Sequence, residues 1–179
     1  MSTLRPAVGE RDHVQGSRDA AIELVEYGDY ECPYCGEAYA VVKALQRTLG
    51  ADLLFAFRNF PLTQAHPHAF RAACAAEAAA LQDAFWPMHD LLYENQAFLE
   101  DEHLLDYAKR CDLDVEAFAR DLDAEAIAGR VRSDFLSGAR SGVNGTPTFF
   151  VNGHRYDGSW QPDVFLAFLS ELRAGHELR

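Results

Sequence analysis

The chain has 179 residues, 49% of them hydrophobic, and a formal net charge of −12 at pH 7. That length accommodates a single domain core, and the apolar and aromatic content excludes a disordered chain. The acidic balance argues against nucleic acid or an anionic membrane as partner, and no run approaches the roughly 18 uninterrupted apolar residues of a membrane span.

Met1 to Ala20 carries Arg5, Glu10, Arg11, Asp12, His13, Arg18 and Asp19 and has no apolar central region. It reads as a polar lead-in rather than a secretory signal, so the expected location is the cytoplasm, or the periplasm or cell exterior if a signal has been removed. Asp12–Ser17 is expected to be loop, because turn-prone residues occur there without an apolar repeat. The first strand follows at Ala21–Tyr27, where alternation puts Ile22, Leu24 and Glu26 on one face and Glu23, Val25 and Tyr27 on the other. Glu26 thus lies in line with two apolar neighbours.

Cys32-Pro33-Tyr34-Cys35 comes next, and a helix-like run continues from Glu37 to Leu49 before Gly50, a typical C-terminal cap. Cys32 then falls at the N-cap, Pro33 at the first helical position, where proline is favoured, and Cys35 at the third. A thiolate on Cys32 would face the unpaired N–H groups and the positive end of the helix dipole. A disulfide across so short a loop restrains the unfolded chain very little, so a purely structural purpose is disfavoured. Half of a zinc site is the other use of this spacing. It needs two more ligands, and Cys74, Cys111, His66 and His68 stand at no recognised finger spacing. The reading is therefore a redox pair, with no metal and no cofactor.

Leu53–Arg58 suits a buried parallel strand, ended by Asn59-Phe60-Pro61. From Ala65 to Ser141 the sequence turns helical, with helices predicted at Ala69–Asp83, Ala84–Tyr93 and Asp101–Cys111, the last opened by an acidic cap. Two more fill Asp114–Leu136. This stretch of roughly 75 residues is too long for a plain loop between strands. Thr148–Val151 resumes the sheet, Asn152-Gly153 signals a two-residue hairpin, and His154–Tyr156 returns. Gln161-Pro162-Asp163 opens a last helix to about Ala174. The divisions are then a lead-in (1–19), a first half (20–62), a helical insertion (63–142) and a second half (143–179).

C-P-Y-C at the start of the first helix, together with G-T-P-T-F-F-V-N-G at Gly145–Gly153, resembles the DsbA-like branch of the thioredoxin superfamily over about residues 17–175. The resemblance implies an α/β thioredoxin fold, β-α-β then β-β-α, with an inserted helical cap beside the active site. It implies thiol–disulfide oxidoreductase activity, with Cys32 as the exposed nucleophile, Cys35 as the buried resolving thiol and Pro33 and Tyr34 as the centre of the motif. It also implies a cis peptide before Pro147, a backbone at Thr146 that pairs with substrate like an added strand, and a buried Glu26 beneath the disulfide that relays a proton to or from Cys35. The implied partners are protein or small-molecule thiols and disulfides and a redox partner, served by a monomer.

Pro33-Tyr34 departs from the Pro-His of strongly oxidising members and also occurs in glutaredoxins. Asp29 and Glu31 flank the site and are expected to oppose a Cys32 thiolate. Together these point to a pKa above the oxidising extreme of about 3.5 and a potential nearer the middle of the known range, about −270 to −120 mV. Glutathione-dependent, glutaredoxin-like deglutathionylation is the alternative activity, and a non-enzymatic peptide-binding module is the third reading.

Elsewhere, His66-Pro67-His68 reads as a helix-opening turn with exposed imidazoles. Phe85-Trp86-Pro87-Met88-His89 reads as core packing in preference to a substrate groove. Cys74 reads as a small packed residue, Cys111 has no assigned role, and the charges of Asp112–Arg132 read as a solvated helix face.

Overall fold

The structure is a computed structural model and describes residues 2–177. Met1, Leu178 and Arg179, at the ends of the expected lead-in and second half, lie outside the described residues. Five strands form one sheet in the order β1-β3-β2-β4-β5, with β1 at His13–Gln15, β2 at Ile22–Gly28, β3 at Leu53–Asn59, β4 at Thr148–Val151 and β5 at His154–Tyr156. β2 and β3 run parallel, and the other pairs are antiparallel. Between β2 and β3 lies α1 (Pro33–Leu49). After β3 come α2 (Ala69–Ala80), α3 (Phe85–Glu94), α4 (Asp101–Arg110), α5 (Val115–Leu122) and α6 (Glu125–Arg140), and α7 (Pro162–Glu177) closes the chain's described part. This is the expected thioredoxin fold with an inserted set of helices.

The alternation of β2 sets the layers. Ile22 and Leu24, with Phe55 and Phe57 of β3, pack against α1, α3 and α7 in the larger core. Val25, Tyr27 and Ala56 face the other way, onto Leu4, Phe60, Val143 and Phe150. Glu26 therefore lies on the face covered by α1. In α2 the buried residues include Ala72, Ala73, Ala75, Ala76, Ala78 and Ala79, and such small side chains let neighbouring helix axes approach closely.

Several expectations are corrected. The stretch read as loop contains β1, whose His13, Val14 and Gln15 pair with Phe57, Ala56 and Phe55. Three residues cannot display an alternation, and it is pairing with the edge of β3 that makes them a strand. Gly16 follows at φ +96, where a Cβ would meet the Leu53 carbonyl oxygen at 2.1 Å, so only glycine permits this exit. The helix expected to reach Asp83 ends at Ala80, with Asp83 at φ 59 and the Ala84 N–H donating back to the Ala79 carbonyl. Asp101 makes no cap, since its carboxylate accepts from Arg71 Nε at 2.7 Å and Nη2 at 2.8 Å. Asp114 does cap α5, accepting from the Ala117 N–H at 2.9 Å. The charged stretch after Asp112 is not wholly solvated: Arg130 turns inward to Asp134 and Glu77.

Candidate active site

The loop between β2 and α1 is braced by one buried carboxylate. Asp29 Oδ1 accepts from the N–H groups of Glu31 at 2.8 Å and Cys32 at 3.2 Å. Its Oδ2 accepts from the Leu62 N–H at 2.8 Å and lies 2.8 Å from His66 Nδ1. The charge expected to oppose a thiolate is thus engaged by donors in the structure. Burial pulls the His66 pKa down, but the hydrogen bond and charge of Asp29 prevail and raise it. Glu31 Oε2 accepts from the His68 N–H at 2.6 Å. The 66–68 turn is therefore tied to the loop that carries Cys32, and neither imidazole is fully exposed as expected.

A second tie comes from beyond α3. Gln96 Nε2 donates to the carbonyls of Tyr30 and Cys32, each at 2.9 Å. Gly36 makes room for it, since a Cβ there would sit 2.2 Å from Gln96 Oε1. Asp29, His66 and Gln96 were not singled out as positioning residues from the sequence. Each acts through contacts that no local pattern encodes.

α1 begins as the spacing predicts, with Cys32 at the N-cap and Pro33 first in the helix. Cys35 is completely buried, and Cys32 is only 3% exposed, whereas Tyr34 between them is 63% exposed. The expected exposed nucleophile is therefore recessed, because its sulfur tucks against the segment before β4. The Cys32 Sγ donates to the Thr146 carbonyl at 3.5 Å. The Thr146–Pro147 peptide is cis.

The ionisable groups split sharply. A hydrogen bond from the Cys35 thiol is the largest influence on Cys32. Burial opposes ionisation, but the Thr146 side chain and the N–H groups of Cys35 and Tyr34 favour the thiolate, and the pKa falls to about 5. The Thr146 hydroxyl is buried without a hydrogen-bond partner. Burial pushes Cys35 well above the ordinary thiol range, reinforced by its bond to Cys32 and by the charges of Glu26 and Cys32. Burial and then the Cys32 charge lift Glu26 to about 8. At neutral pH the site therefore holds a thiolate, a thiol and a largely protonated carboxyl group, a separation suited to proton transfer. Among the described residues, no cluster of three or more His, Cys, Asp and Glu side chains is grouped to hold a metal ion.

Phe85, Met88 and His89 are buried in the core, as expected of that aromatic cluster. A groove of about 560 Å³ lies elsewhere, lined by Pro61, Leu62, Ala65, Phe70, Arg132 and Phe135. Cys74 is buried, and its pKa is pushed by burial to about 11.

Residues 9–171 match the thioredoxin family model. The chain is 45% identical over 179 residues to a Na(+)/H(+) antiporter NhaA 1 of Salinispora arenicola, a match covering 100% of this chain and 27% of that protein. It is 44% identical over 173 residues to the NhaA antiporter of Herminiimonas arsenicoxydans, covering 96% and 27%. The chain thus spans about a quarter of the length of these curated relatives. Oxidised BdbD from Bacillus subtilis superposes with a TM-score of 0.80 at 27% identity, covering 90% of this chain and 93% of that one. Wolbachia pipientis alpha-DsbA1 shares the fold with a TM-score of 0.82 at 18% identity, covering 96% and 95%. With the family pattern matched from residue 9 to residue 171 and most of the chain superposing on these structures, the chain belongs to the thioredoxin family and is DsbA-like in architecture.

Proposed function

We propose that the chain is a thiol–disulfide oxidoreductase that exchanges its Cys32–Cys35 pair with protein or small-molecule disulfides. The observation that carries this reading is the split ionisation, with a Cys32 thiolate at about 5 beside a Cys35 held protonated. In the reducing direction the Cys32 thiolate attacks one substrate sulfur. The substrate S–S bond breaks, a mixed disulfide forms, and the other substrate sulfur leaves as a thiolate. Cys35 then loses its proton and attacks Cys32 Sγ, releasing the second thiolate and leaving the protein oxidised, two electrons having passed to the substrate. The oxidising direction reverses each step.

Glu26 is the acceptor for the Cys35 proton in this scheme. Once Cys32 is in the mixed disulfide its negative charge is gone, and one of the two causes that raise Glu26 goes with it. Thr146 offers the backbone against which a substrate strand pairs, its carbonyl 3.5 Å from the reactive sulfur, and Pro147 shapes that edge. Pro33 and Tyr34 hold the two thiols at the helix start.

Cys35→Ser tests the scheme. The variant should accumulate mixed disulfides with substrate, visible as reducible adducts by mass spectrometry. Full turnover on glutathionylated protein by Cys35→Ser would instead favour the one-thiol, glutathione-dependent activity. Ion transport is not carried over from the antiporters, since the match spans only 27% of their length.

The cytoplasm is the proposed compartment, where Cys74 and Cys111 remain thiols beside the redox pair. Intact cells treated with a membrane-impermeant alkylating reagent should leave Cys32 unlabelled. Labelling comparable to that in lysed cells would refute this placement.

A further inference from the structure

The tyrosines buried around the redox loop have polar partners, with one exception. Tyr27 shares a hydrogen bond with Ser137 Oγ at 2.8 Å, and Tyr30 shares one with His89 Nδ1 at 2.9 Å. Half-buried Tyr39 donates to Asp90 at 3.0 Å. The Tyr93 hydroxyl is buried without a partner, and so is Glu26 Oε1. An unpaired buried polar group carries a desolvation penalty and calls for an explanation, a catalytic role among them.

The two orphans lie on one face of the sheet. Glu26 and Gly28 are two residues apart in β2, so both point toward α1. Gly28 has no side chain, and a Cβ there would come within 2.8 Å of the Tyr93 hydroxyl and 2.4 Å of the Phe57 ring. The missing side chain is what lets the phenol descend from α3 to the strand, one pleat from Glu26. The titratable groups facing Tyr93 are Glu26 on β2, Asp29 and Tyr30 on the loop, Cys35 and Tyr39 on α1, and His89 on α3. Tyr30 and His89 satisfy each other, Tyr39 is taken by Asp90, and Asp29 is filled by its own donors, so Glu26 and Cys35 are left.

We propose that Tyr93 is a positioning residue for the resolving step, its hydroxyl donating to the Glu26 carboxylate whenever that group ionises and so holding it ready for the Cys35 proton. The inference rests on the dithiol reading above. In the step, the Cys35 S–H bond breaks and its proton goes to Glu26. The electron pair remains on sulfur, which bonds to Cys32 Sγ as the substrate thiolate leaves. Burial holds the Tyr93 pKa well above that of an ordinary phenol, so it remains a donor throughout.

The test uses reduced protein and 5,5′-dithiobis(2-nitrobenzoate), with the second thionitrobenzoate release reporting attack by Cys35. In Tyr93→Phe the pH midpoint of that release should rise by about one unit, slowing it roughly tenfold at pH 7. Thermal stability should hold or improve, because an unpaired buried hydroxyl has been removed. In a Glu26→Gln background, Tyr93→Phe should cause no further shift. An unchanged midpoint in Tyr93→Phe, or a further shift in the double variant, overturns the proposal. Absence of any second release from the unsubstituted protein would remove the dithiol reading, and this inference with it. Should Tyr93→Phe not fold, the unsubstituted protein still decides: its Tyr93 ring-carbon resonance beside the hydroxyl should follow the titration of Glu26 near pH 8, and a flat response refutes the role.

Discussion

Alkylation of the reduced protein by iodoacetamide should rise with a midpoint near pH 5 and stay level through neutrality, and Cys32→Ser should remove both this fast phase and all catalysed disulfide exchange. A midpoint above pH 7, or exchange that persists in Cys32→Ser, would defeat the proposed chemistry. At pH 7 a thiol of pKa 9 is about 1% ionised and one of pKa about 5 about 99%, a gain near 100-fold in thiolate. Nucleophilicity falls with pKa at a slope of about 0.4–0.5, which takes back roughly 40- to 100-fold over four units. The low pKa therefore contributes little to attack. Its main benefit is to Cys32 as a leaving group, when another thiolate attacks the mixed disulfide or the oxidised pair. Within the proposed exchange, that favours donation of the disulfide. The linkage has a definite sign as well. The folded value of Cys32 is depressed, so its contribution to the stability of the reduced protein is complete above the unfolded value of 9.0 and is lost as pH falls through about 5. The melting temperature of the reduced form relative to the oxidised form should fall between those limits as the solution is acidified.

The largest loss of stability is expected at Arg58, on the face of the sheet away from the thiols. Its side chain is 3% exposed and all five of its N–H donors can be accounted for. Nε and Nη2 clasp Asp12 at 2.7 and 3.0 Å, Nη1 reaches the Tyr27 hydroxyl at 2.9 Å and the Pro6 carbonyl at 3.0 Å, and Nη2 reaches the Ala7 carbonyl at 3.3 Å. Arg58→Ala takes the donors from a carboxylate and two carbonyls and empties the buried space that the guanidinium fills. It should cost about 3–5 kcal/mol, or roughly 10 °C in melting temperature for a chain of this size. Arg58→Lys should recover little, having three donors and no planar fork. Burial raises the Asp12 pKa, but Arg58 outweighs it and the net shift is downward, so this stability is present above the carboxylate's ordinary value and fades in acid. Thermal melts of the three proteins from neutral to acid pH check it, and a loss under 1 kcal/mol would show the clasp to be dispensable.

Where the chain follows a short rigid period, the sequence was a good guide. Ile22, Leu24 and Glu26 share a face because strand geometry leaves no other choice. The Asn152-Gly153 hairpin has both residues at positive φ, 46 and 78, as its turn type requires. Cys32 and Pro33 mark a helix start for reasons local to them. What escaped the sequence depends on distant partners. Asp29 looked like a nearby negative charge, and only the arrival of Leu62 and His66 turns it into a brace. Gln96 lies far along the chain from the carbonyls it holds, and Arg58 reads as the end of a strand until residues 6–12 fold over it. β1 becomes a strand only by contact with β3.

Cys32 shows 3% of its surface while Tyr34 beside it shows 63%. In the proposed exchange, a cysteine so recessed admits partners by outline before any electron moves. A pliant peptide that can lie along the Thr146 edge brings its cystine into line, whereas one locked inside a finished globule cannot reach. Under the proposed exchange chemistry, the expected substrates are chains still unfinished or loosely tethered, and a folded protein with its disulfide inside should react far more slowly.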